Sequence, residues 1–342
     1  MAAKRVLAAV LVAMWAGYAP GASTQVAAPA QRPVLTSQIV KLDPGLDGIV
    51  AQDATIEKVR TGFKERTEGP VWSRDGALIF SELLENTIYK MQPSGELSVL
   101  RKNSGWSGPL IDGVRVGSNG LTLDQQGRLI ICEQGNRRVT RLEPDGTLTV
   151  LADKYEGKRL NRPNDVVVKS DGAIYFTDPD SALDQQKSIG CLDCDKELGF
   201  QAVFRILNGK LELLTKDVSP NGIAFSPDEK YLLLTNGRKW MRYEVKADGT
   251  LGAASLLYDV SGEKLPGGVD GMKVDMGGNL YGTGPGGVWI ISPAGKALGR
   301  IQLPETPMNV AFGGNDGKTL YMTAQTSVYK IQLKATGKRP CC

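Results

Sequence analysis

Apolar positions along this chain come in short bursts, not long stripes. Runs at 77–81, 128–133, 173–177, 231–235 and 319–323 are rich in Ile, Leu, Tyr and Phe, and turn residues interrupt them every ten residues or so. Strong β-formers between turns predict strands. The pattern also recurs. Six segments begin with a polar pair, continue through a short apolar strand and a turn, and enter a second apolar strand. They start at Glu68-Gly69, Asn119-Gly120, Asn164-Asp165, Asn221-Gly222, Asp270-Gly271 and Asn309-Val310, at spacings of 39 to 57 residues. The first turn is Asp75-Gly76, Gln126-Gly127, Asp171-Gly172, Gly277-Gly278 or Asp316-Gly317, pairs that supply the positive φ a hairpin demands; the fourth repeat uses Pro227-Asp228-Glu229-Lys230. A third strand, a second turn and an outer strand complete each repeat.

Four strands in roughly 47 residues, repeated six times, predict an all-β fold: a six-bladed β-propeller with four antiparallel strands per blade. The last repeat runs out of chain near Leu333. The strand-like segment 55–59 precedes the first repeat and is expected to supply the missing outer strand. Such closure removes two open sheet edges.

The first residues break the β-pattern. Lys4 and Arg5 precede an apolar run from 6 to 18, then small residues. This reads as a signal peptide over 1–25, with an uncleaved membrane anchor as the alternative. Residues 26–52 read as a linker or N-terminal extension and 53–337 as the propeller domain. The mature chain is expected to have no membrane span and to be secreted or periplasmic. Cys191 and Cys194, spaced C-x-x-C, suit a local disulfide in an oxidising compartment better than a zinc site, which needs more ligands than lie nearby. Cys132 reads as a buried free thiol. Cys341 and Cys342 have no evident role.

Composition narrows the chemistry. Of 342 residues, 41% are hydrophobic and 23% charged, enough for a sizeable core. Histidine is absent, which excludes every Ser-His-Asp or Cys-His triad and every His-ligated metal. The net charge of +4 is spread without a basic block, so nucleic acid is not an expected partner.

In a propeller the first strand of each blade lines the central channel, so one phase of the repeat converges near one end of the axis. That phase holds Glu68, Asn119, Asn164, Asn221, Asp270 and Asn309, all oxygen-bearing. Asn or Asp before Gly also serves as a turn residue, which suits Asn119 and Asn221 but not Glu68. Two carboxylates about 5 Å apart repel by roughly 3 kcal/mol at an effective dielectric near 20. A divalent cation offsets that repulsion, and an all-oxygen set favours a hard ion. Calcium is the first choice, with zinc, magnesium or manganese as substitutes.

These residues carry a family resemblance. The matching segments are Glu68-Gly69-Pro70-Val71-Trp72, Asn161-Arg162-Pro163-Asn164-Asp165, Phe176-Thr177-Asp178-Pro179, Ser219-Pro220-Asn221-Gly222 with Ser226-Pro227-Asp228-Glu229, Val269-Asp270-Gly271-Met272, and Asn309-Val310-Ala311-Phe312. In order and spacing, over about residues 54–333, the chain resembles the senescence-marker-protein/gluconolactonase/luciferin-regenerating-enzyme, or regucalcin-like, family. The resemblance implies a six-bladed propeller with one divalent ion in its channel. It implies Glu68, Asn164, Asn221 and Asp270 as metal ligands and Arg162, Asn119 and Asn164 as substrate-binding residues. It also implies lactonase activity on a small-molecule sugar lactone. Val269, where many members have Pro, and an insertion over 180–199 depart from the common pattern and leave the substrate open.

The expected mechanism is metal-assisted opening of a lactone. The ion polarises the carbonyl and Asp270, as catalytic base, activates water. Arg162 could alternatively form a salt bridge at the channel rim. Asp178 and Glu133 follow blade strands and are read as strand-end residues. The alternatives are a phosphotriesterase or other esterase on the same propeller, and a non-catalytic ligand-binding propeller. A monomer is the expected state.

Overall fold

The computed structural model describes residues 35–110, 112–181, 183, 194–216 and 218–340. The signal segment 1–25, Cys191, most of the insertion after Asp180, and Cys341 and Cys342 lie outside the described residues. Among the described residues no helix is long and apolar enough to cross a membrane.

The strands form six antiparallel blades. The first comprises Thr67–Trp72, Leu78–Glu82, Thr87–Met91 and Leu97–Lys102, in that order from the axis outward. The innermost strands of the next four are Ser118–Leu123, Val166–Val168, Pro220–Phe225 and Met272–Val274. The sixth blade has three strands of its own, Pro307–Gly313, Thr319–Ala324 and Ser327–Gln332. Ile56–Thr61 pairs with the last of these, Ile56 opposite Ile331, and closes the ring as the sequence predicts.

The extension before the propeller is structured. Gln38–Lys41 adds a fifth strand to blade five, pairing with Ala297–Gln302. Asp43 then caps a short 3₁₀ turn that buries Leu46 beside Leu298. The sequence gives no sign of this strand, because four polar-flanked residues have a partner only once blade five exists.

The core is divided six ways, one apolar cluster between each adjacent pair of blades. Neighbouring residues of one strand feed opposite clusters. Leu280 packs toward blade four and Tyr281 toward blade six; Ile131 packs toward blade one and Ile130 toward blade three. This is the two-residue period of a strand buried on both faces. Trp72 stacks on Tyr321 across the blade one–six junction at 5.3 Å.

The ring is also tied by hydroxyls. The penultimate residue of each second strand is Ser81, Cys132, Thr177, Thr235, Thr283 and Thr323 in turn. Ser81, Thr177 and Thr235 donate to the backbone carbonyls of Asn119 (2.9 Å), Asn221 (2.7 Å) and Asp270 (2.8 Å) in the following blade. In blade five Thr283 donates to Met308 O (3.1 Å), and in blade six Thr323 donates to Asn309 O of its own blade (3.2 Å); blade two has the buried free Cys132, and there Gly120 N donates to Asn164 O (2.6 Å). The backbones of Asn119, Asn221 and Asp270 are thus held from behind, and their side chains are left for the channel.

Candidate functional site

The positions that start the inner strands are shaped by β-bulges. The ladder register shifts between Glu68 and Val71, between Ser118 and Leu121, and between Pro220 and Ile223. A bulge leaves a residue out of the ladder and re-aims its neighbours; here it follows Glu68 and takes in Asn119 and Asn221. Glycine follows each of these because the blades meet there. A Cβ on Gly69, whose φ is +52°, would lie 2.0 Å from the Asn119 carbonyl oxygen.

One cavity of about 490 Å³ collects Glu68, Asn119, Asn164, Asn221 and Asp270 with Arg66, Arg115, Gln134 and Arg162. All six residues that the sequence singles out as ligands or substrate contacts line it. Asn309 does not. Gly271 has no side chain, and Asn309 fills that space: a Cβ there would lie 2.0 Å from Asn309 Cγ. Asn309 Nδ2 instead reaches Asp165 Oδ2 at 3.4 Å, with Lys273 Nζ 3.9 Å from the same oxygen.

The carboxylates are held in an unfavourable setting. Burial, then the nearby Asp270 charge, pushes the Glu68 carboxyl up to about 8; Arg66 and the Gly69 N–H (3.1 Å) oppose the rise. Burial pushes Asp270 up to about 6, against Arg66, whose Nη2 lies 3.6 Å from Asp270 Oδ2, and against a hydrogen bond from Asn221. Asn119 Oδ1 and Asn221 Oδ1 are buried without a hydrogen-bond partner. Buried acceptors of this kind call for an explanation, an ion among them. Among the described residues no three His, Cys, Asp or Glu side chains form a group that could hold a metal ion. Ligation would therefore combine two carboxylates with amide oxygens, a set that fits a hard divalent cation.

Arg162 is buried, and its guanidinium meets no carboxylate among the described residues. Its Nη2 donates to the Arg115 carbonyl (2.6 Å) and to Gln134 Oε1 (3.1 Å), while Nε and Nη1 have no partner. Burial, with Arg137 and Arg115 nearby, lowers its affinity for its proton to a pKa of about 9. Asp178 fixes the turn that carries it. Its Oδ1 accepts from Arg162 N (2.7 Å) and its Oδ2 from Asn161 N (2.8 Å). Glu82 receives Arg66 N at the equivalent end of blade one (3.3 Å). Asp178→Asn replaces one acceptor by a donor facing a buried N–H. It is expected to cost about 1–3 kcal/mol of stability, read from urea unfolding, and to weaken substrate binding because Arg162 loses its anchor. An unchanged midpoint and KM would contradict that anchoring role.

Arg66, Arg115 and Gln134 escaped the sequence reading. Arg66 stands two residues before Glu68, as Arg162 stands two before Asn164, so the repeat phase carried a signal for it. Gln134 directly follows the second strand of its blade, the phase of Leu83 and Pro179, which also line the cavity; Arg115 comes from a loop with no shared phase.

The family model described as the SMP-30/Gluconolactonase/LRE-like region matches residues 66–326. A gluconolactonase of Zymomonas mobilis is 33% identical over 88% of this chain and 87% of its own. A solved gluconolactonase structure from Xanthomonas campestris is 30% identical, covers 90% of this chain and 99% of its own, and superposes with a TM-score of 0.76. A calcium-binding regucalcin from Agrobacterium tumefaciens, 20% identical over 84% of this chain and 96% of its own, shares the fold with a TM-score of 0.66.

Proposed function

We propose, from the premise that this chain belongs to the SMP-30/gluconolactonase/LRE-like family, that it is a hydrolase opening sugar lactones. The observation that carries this reading is the single cavity in which two charge-burdened carboxylates, partnerless amide oxygens and a buried arginine face one space. A binding platform has no need of two carboxyls held against their own repulsion.

Glu68, Asn164, Asn221 and Asp270 would hold one divalent cation, with calcium favoured by the all-oxygen set. That cation supplies Lewis-acid polarisation of an ester carbonyl when bound. Asp270 accepts a proton from the attacking water as the water oxygen bonds to the carbonyl carbon. The ring C–O bond then breaks, and the proton returns to the leaving alkoxide to give a hydroxy acid. Arg66 beside Asp270 keeps that carboxyl ionised near neutral pH. Arg162, Asn119 and Asn164 orient the substrate through hydrogen bonds, Arg162 with the two N–H groups that have no protein partner. Glu68 balances charge.

The leader-like segment 1–25 and the disulfide-bonded Cys194 support a secreted or periplasmic site of action. Closure of the ring, which pairs the edge of blade six, supports a monomer. The test is a proton-release assay on aldonolactones. Purified protein with calcium is expected to turn them over well above the spontaneous rate. Turnover of phosphotriesters alone would move the assignment to the other esterase class.

A further inference from the structure

Resting on the lactonase reading and narrowing it, we propose that the preferred substrate is a lactone bearing an anionic group (carboxylate, phosphate or sulfonate) away from the ester, held by Arg66, Arg115 and Arg162. Among the described residues three guanidinium groups line this cavity against two carboxylates, Glu68 and Asp270. Those two are the groups assigned to a divalent cation, so the loaded site carries an excess of positive charge. Two of the three arginines have acidic neighbours. Arg115 Nη2 meets Glu65 Oε1 at 2.7 Å, and Arg66 Nη2 lies 3.6 Å from Asp270 Oδ2.

Arg162 is different. It is 1% exposed, it is turned to the cavity, and its Nε and Nη1 have no acceptor. A buried charged donor without a partner is costly, and the planar fork of a guanidinium matches carboxylate, phosphate and sulfonate oxygens two at a time. The hydroxyls of a neutral sugar could accept those hydrogen bonds but would leave the charge uncompensated. The turn that bears Arg162 is itself fixed by both oxygens of Asp178 (2.7 and 2.8 Å). The fork is therefore held in place before any ligand arrives, as a recognition group must be.

The carboxylate released by hydrolysis is also an anion, but it forms from any lactone. Arginines serving the product alone would not discriminate among substrates. The experiment compares glucono-1,5-lactone with its 6-phosphate, its 6-deoxy-6-sulfo analogue and a glucaric acid monolactone, in wild type and in Arg115→Gln and Arg115→Lys. For the wild type, kcat/KM is expected to be at least about tenfold higher on one or more anionic lactones, mostly through KM. The three anions separate phosphate, sulfonate and carboxylate recognition. Arg115→Gln is expected to erase most of the anionic-to-neutral ratio and Arg115→Lys to keep part of it, with melting curves confirming that each variant is folded. Equal kcat/KM on neutral and anionic lactones, or an Arg115→Gln loss equal on both, would overturn this inference and leave the lactonase reading standing. Turnover of none of the four would overturn the lactonase reading beneath it.

Discussion

Asp270→Asn is expected to lower kcat on glucono-1,5-lactone by about 10²–10⁴-fold, the range a positioned general base contributes, while the far-ultraviolet spectrum stays that of a β-protein. The substitution keeps the side chain's size and one oxygen but removes the site that takes the proton. The fold has little at stake in that change, because the backbone carbonyl of Asp270 is held by Thr235 and its N–H by the Thr283 carbonyl, neither through the carboxylate. Asp270 is the better candidate for the base than Glu68 because its carboxyl, at about 6, is ionised at neutral pH, whereas Glu68 at about 8 is mostly protonated without a cation. Arg66 lowers both carboxyls; the difference is that the Asp270 charge raises Glu68, whereas a hydrogen bond from Asn221 lowers Asp270. A variant that keeps wild-type kcat would remove Asp270 from the proton-transfer role.

Chelation is expected to lower thermal stability strongly at pH 8 and weakly at pH 5. Glu68 and Asp270 are both raised above their ordinary values of 4.5 and 3.8, so the folded chain holds their protons more tightly than the unfolded chain does. Their contribution to metal-free stability is complete below about pH 4 and is lost as pH rises through about 6 and then about 8. The many surface carboxyls with lowered values, such as Glu229 beside Lys338, act the other way, but only at about pH 4 and below. Between pH 5 and 8 the trend is therefore set by the buried pair together with Asp178, which burial pushes up to about 7 and whose contribution EDTA and added ions leave unchanged. A cation at about one hundred times its Kd stabilises the native chain by about 2.7 kcal/mol. It competes with protons for the same oxygens, so the gain should shrink at pH 5. Melting curves at the two pH values, with EDTA and with calcium, magnesium, manganese or zinc, give the answer. A midpoint indifferent to all four ions at pH 8 would exclude the site as a cation site.

Much of the molecule is legible along the chain because its logic is local. Side chains alternate with period two, hairpins need positive φ at their turns, and both leave marks on consecutive residues. Six marked segments with a partial last one imply a ring closed by an earlier strand, and Ile56–Thr61 fills that place. The phase that puts Glu68, Asn119, Asn164, Asn221 and Asp270 at strand starts is equally local, and the cavity contains them all.

What the chain alone left undecided depends on neighbours distant in sequence. Asn309 shares the phase of the other five, yet the missing side chain of Gly271 lets it sink toward Asp165. The fifth strand of blade five exists only because blade five offers an edge. Arg115 reaches the cavity from a loop whose course follows blade packing. A periodic pattern fixes which residue comes next in a strand. Which side chains meet across the axis, and which charges they leave uncompensated, is decided by close approach of backbones, and that arises only when all six blades are in place.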